Sequence, residues 1–123
     1  MARFGTWRPL FILAGVLIII GGSLHPRDDS MEAMLANADW VLSHSLLLAG
    51  FVSFLFGLLL YGRTTWLPER TRRWTRWAVI GTALQVVEAA FHAAAVVDHG
   101  HLVAGAPTPV LTTHLWLTLI LYP

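Results

Sequence analysis

Residues 40 to 61 read WVLSHSLLLAGFVSFLFGLLLY, a run without Asp, Glu, Lys or Arg. At 1.5 Å per residue such a helix crosses the roughly 30 Å hydrocarbon core of a bilayer. Three more apolar segments flank it, at about 10–24, 77–97 and 109–123. The chain carries 12% charged and 56% hydrophobic residues, with a mean hydropathy of +0.64, where a soluble domain averages roughly 25% charged. The expected fold is therefore all-α: a polytopic integral membrane helix bundle with four transmembrane segments, residues 1–123 forming a single membrane domain. The fourth segment is short for a span, so the chain reads as the N-terminal part of a longer protein.

Orientation follows from charge. Arg3 and Arg8 precede the first segment, and Arg63, Arg70, Arg72, Arg73 and Arg76 lie between the second and third. Arg27 alone falls on the other side, with Asp28, Asp29, Glu32, Asp39 and Asp98. The positive-inside rule makes the arginine side cytoplasmic, giving a multi-pass cell-membrane protein with a cytoplasmic N-terminus. Trp7, Trp40, Trp66, Trp74 and Trp77 fall near segment ends, as an interfacial aromatic belt would. The first segment has a basic start but no small-residue cleavage site, and reads as a retained span rather than a signal peptide.

The outer loop DDSMEAMLANADW, residues 28–40, sets Asp29 three residues before Glu32, a capping-box spacing, and puts Met31, Met34 and Leu35 on one helical face. A short interfacial helix, serving as a lid, and a solvated loop both fit.

Ionisable residues inside a span are costly, and mark candidate sites. His44 lies four residues past Trp40, His114 five past Pro109 and His92 five before Val97, placing all three roughly 6–8 Å below the outer boundary. His25 sits at that boundary. Gly81, Gln85, Glu88, His92, Ala95 and His99 follow alternating steps of four and three, the seam of a helix facing a bundle interior. Gly15, Ile18, Gly22 and His25 on the first segment, and Ser43, Gly50 and Gly57 on the second, offer small residues for close helix approach. Leu24-His25 followed by VLSHSLLL and Phe91-His92 followed by VLTTHLWL suggest a tandem two-helix repeat.

Imidazole is a common ligand for haem and for transition metals. The expected function is an outer-leaflet, His-lined site that binds b-type haem, or a transition metal ion, for electron transfer or cofactor handling. Haem ligands would come from His44, His92, His114 and His25; a metal would take His44, His92, His114 and Glu88. In helix count and histidine placement the chain resembles the four-helix transmembrane b-type cytochromes and the haem A synthases, which pair histidines across antiparallel helices. No motif of those families is present, so no functional residue carries over. The alternatives are a non-catalytic structural or assembly subunit, and a proton or cation transporter using Gln85, Glu88 and His92. Asp98, His99 and His101 read as surface at the outer exit.

Cysteine is absent, which excludes disulfides, thiolate metal sites and covalently attached haem. The chain has no Gly-rich phosphate loop, G-x-S-x-G or H-E-x-x-H, so nothing supports nucleotide or hydrolytic chemistry. Expected partners are the lipid bilayer, a second copy of the chain or a membrane redox partner; the arginine-rich loop is a topology signal and implies no nucleic acid.

Overall fold

Rotation of each helix about its own axis decides which side chains meet. In the computed structural model, residues 5–122 are described; Arg3 of the topology signal and Pro123 at the end of the fourth segment lie outside them. The described residues form α1 (Trp7–Ser23), α2 (Met31–Ala36), α3 (Asp39–Gly62), α4 (Glu69–Ala94), a 3₁₀ turn (Ala95–Asp98), α5 (His99–Val103) and α6 (Pro109–Leu121), with no strand among them. Asp39–Gly62 and the continuous helical stretch Glu69–Val103 are each long and apolar enough to cross a membrane. The α1 and α6 helices are shorter, 17 and 13 residues, or about 26 and 20 Å.

Helix α4 begins eight residues earlier than the apolar segment at 77, because the arginine-rich stretch ERTRRWTRW is itself helical behind Pro68 and Glu69. Arg and Glu are good helix formers, and an acidic residue in the first turn complements the helix dipole.

Packing runs in a row: α1 on α3, α3 on α4, and α4 on α6. All three pairs are antiparallel. Down α1 from Gly21 to Phe11, the α3 partners climb from Ser43 to Gly57. Between α4 and α6, Asp98 meets Val110 while Gln85 meets Tyr122. The α1–α3 contact is made by Ala14, Ile18 and Gly21 on one side and by Ser43, Leu47 and Gly50 on the other. Ile18 lies where the expected α1 face put it, but Ala14 and Gly21 take the places expected of Gly15 and Gly22, where an added Cβ would find nothing within 4 Å. Gly81, at the foot of the expected α4 seam, is likewise open. From Gln85 to Ala95 the seam faces inward, with Glu88 and Ala95 buried.

The outer-loop helix forms, and Met31, Met34 and Leu35 pack on a cluster containing Trp40, Ala95 and Leu111. Its cap is Ser30, whose hydroxyl accepts from the Ala33 backbone N–H at 3.1 Å, not Asp29. Trp40 is no belt residue: it is 1% exposed, whereas Trp66, Trp74 and Trp77 are 59–70% exposed.

Asp98 is also not surface. It is buried, and one carboxylate oxygen accepts from the backbone N–H groups of Val110 and Leu111 at 2.7 and 2.9 Å. Thr108 makes no side-chain cap of its own and Pro109 has no N–H, so Asp98, from the chain before α5, satisfies the open amides of α6.

Candidate metal centre

The antiparallel row brings four imidazoles together at one end of the helices. Ring centroids lie 4.7 Å apart for His25 and His44, 4.3 Å for His44 and His92, and 4.0 Å for His92 and His114. The last pair is stacked, with 22° between the planes. All four histidines singled out by the sequence thus join one continuous row.

Hydrogen bonds fix the tautomers. The Nδ1 of His44 lies 2.7 Å from the Trp40 carbonyl oxygen, and that of His25 lies 2.7 Å from the Pro26 carbonyl oxygen. A carbonyl only accepts, so each Nδ1 carries the proton and donates it. The lone pair of each neutral ring then sits on Nε2. His44 is 2% exposed, and its Nε2, like Nε1 of Trp40, is buried with no hydrogen-bond partner among the described residues. A buried polar atom without a partner is uncommon and costly. Trp40 stacks on the His44 ring at 4.0 Å and holds it in place. An imidazole pinned through Nδ1 to a carbonyl, with its other nitrogen free, is the usual arrangement of a metal-ligating histidine.

Glu88 organises the other end of the row. Its Oε1 lies 2.9 Å from His114 Nδ1 and accepts from the Thr118 hydroxyl at 3.2 Å. Its Oε2 accepts from Gln85 Nε2 at 2.8 Å. The Gln85 oxygen in turn accepts from the Tyr122 hydroxyl. His92 Nδ1 stands 3.9 Å from Glu88 Oε1, beyond hydrogen-bond range. Glu88 thus holds the His114 ring as a backbone carbonyl holds His44. Thr118 and Tyr122 escaped the sequence reading, although 114, 118 and 122 repeat at one helical turn and share a face.

Two donor sets are close enough to hold an ion: His25, His44 and His92, and Glu88, His92 and His114. Within each, one ligand atom per residue lies within 4.8 Å of the others. A tetrahedral ion with nitrogen ligands at about 2.0–2.1 Å needs donors about 3.4 Å apart, so each ring would close in by less than about 1 Å. Among the described residues His99 and His101 belong to neither set; His101 Nδ1 lies 3.8 Å from Asp98 Oδ1. A cavity of about 300 Å³ opens beside the row, between His44, His92, Glu88 and His114 and the apolar walls Leu47 and Phe51.

No known protein family, curated protein or solved structure matches the chain.

Proposed function

We propose that this is a membrane protein that binds a divalent transition metal ion through His25, His44 and His92 near the outer face. The buried, unpartnered Nε2 of His44 carries this reading, together with the approach of one ring nitrogen each from His25, His44 and His92 to within 4.8 Å of one another. Imidazole nitrogens suit zinc, copper, iron and nickel. Three protein ligands leave a fourth position for water or a passing group, as in sites that exchange ligands. In this reading all four apolar helices lie in the bilayer with the N-terminus cytoplasmic, and the two hairpins form a tandem repeat, each bringing one pair of adjacent rings. The exposed apolar side chains Ile12, Ile19, Leu119 and Ile120 would meet lipid.

The packing of the rings favours an ion over b-type haem. A bis-histidine haem needs its imidazoles on opposite faces of a porphyrin, with nitrogens turned toward the iron. Here His92 and His114 lie face to face at 4.0 Å and Trp40 covers His44 at the same spacing, a packing that suits a small ion better than a macrocycle.

The test is metal uptake by the purified chain in detergent. Zn²⁺ binding by calorimetry is expected at one ion per chain, with His44→Ala weakening it at least 10-fold. A protein that takes up no transition ion would sink this reading, and a Soret band on addition of haem would replace it with the haem one. Unchanged Zn²⁺ affinity in His44→Ala would take His44 out of the site and place the ion on other donors.

A further inference from the structure

The row of rings continues past the set assigned above. His92 also has a donor atom within 4.8 Å of donors of His114 and Glu88, so two three-donor sets meet at one side chain. The first is all nitrogen and sits at the outer end, where α1 runs into its loop. The second, one helical turn further along α4, mixes two imidazoles with a carboxylate. His92 differs from the other three rings. His25, His44 and His114 each engage Nδ1 in a short hydrogen bond. Neither nitrogen of His92 is hydrogen-bonded among the described residues, and its Nδ1 stands 3.9 Å from Glu88 Oε1. Packed between the His44 and His114 rings, it is the one of the four that no hydrogen bond commits to either set.

Glu88 supplies an independent observation. It is 5% exposed, and among the described residues its ionic partners are imidazoles rather than a guanidinium. A buried carboxylate held by dipoles alone is costly, and a cation beside it offsets that cost.

We infer that the row is a two-position path for a single divalent transition ion, held alternately by His25, His44 and His92 and by His92, His114 and Glu88. This rests on the metal-binding reading. A neutral imidazole offers one lone pair, so His92 serves one position at a time and hands the ion across. Transfer inward exchanges two neutral nitrogens for one nitrogen and one negative oxygen. In a medium of low dielectric that charge draws a divalent ion from the outer set to the inner. The cavity beside Glu88 and His114 gives the ion room to keep a water ligand there. The device is suited to moving an ion across the outer part of the membrane rather than to storing it.

Co²⁺ is the probe, because its visible spectrum distinguishes all-nitrogen from mixed nitrogen–oxygen donors. The full chain in detergent is expected to bind one Co²⁺. His25→Ala/His44→Ala should still bind one, at least 10-fold more weakly, with the spectrum of a mixed donor set. Glu88→Gln/His114→Ala should also bind one, with an all-nitrogen spectrum. His92→Ala should weaken binding at least 100-fold, more than either pair. If His25→Ala/His44→Ala abolishes uptake while Glu88→Gln/His114→Ala changes neither affinity nor spectrum, the second position is overturned and the metal-binding reading stands. Two ions bound at once overturn the sharing of His92. No Co²⁺ or Zn²⁺ on the unaltered chain overturns both readings. Where an alanine variant loses its helical circular dichroism, the asparagine variant at the same position is read in its place.

Discussion

Asp98 shows how one side chain can hold a helix to which it does not belong. Its carboxylate takes two amides of α6, and α6 carries His114. Asp98→Ala should cost about 2 kcal/mol, the upper range for loss of a cap, and Asp98→Asn less; chemical denaturation in detergent measures both. An unchanged midpoint for Asp98→Ala would show that α6 is fixed by its apolar contacts alone. An acid next to His-Gly-His reads as solvated, and nothing local announces that the amides needing it lie twelve residues on. His44 was legible because a polar ring within 22 apolar residues has few places to point. Its missing partner at Nε2 was not legible, since that depends on what surrounds it in space.

Among the elements, the α1–α3 contact depends on helix rotation. Gly21 faces α3 so closely that an added Cβ would stand 2.8 Å from the Ser43 carbonyl oxygen and 3.0 Å from the Leu47 nitrogen, both backbone atoms. The neighbouring Gly22 faces open space. Gly21→Ala should therefore destabilise by about 1–3 kcal/mol through overpacking, whereas Gly22→Ala should be neutral or stabilise by up to about 1 kcal/mol through helix propensity. Thermal unfolding in detergent compares them, and equal effects would refute the rotation described. The sequence placed Ile18 on this face correctly but chose Gly15 and Gly22 over Ala14 and Gly21 on either side of it. A helix that is apolar all round carries no polar stripe to fix its rotation, and one residue is about 100° of turn. Helix α4 was read correctly from Gln85 to Ala95 because its seam holds polar groups, which in apolar surroundings must face other protein.

At the scale of the whole molecule, the four apolar segments and the gathering of their histidines were legible from hydropathy and from how far each histidine lies from the end of its segment. The row order α1–α3–α4–α6 was not, because it depends on faces rather than lengths. The orientation has a direct test, since the chain has no native cysteine. In right-side-out vesicles, Glu32→Cys should react with an impermeant maleimide and Arg72→Cys should not; the reverse pattern would invert the topology. The row of rings also bears on how the halves of the molecule are joined. His25 and His44 belong to the first hairpin and His92 to the second, so an ion held by these three is a cross-link between them. In a chain that can form no disulfide, such a link would be removable: a chelator would free the hairpins to slide along the α3–α4 contact, and restoring the ion would clasp them again.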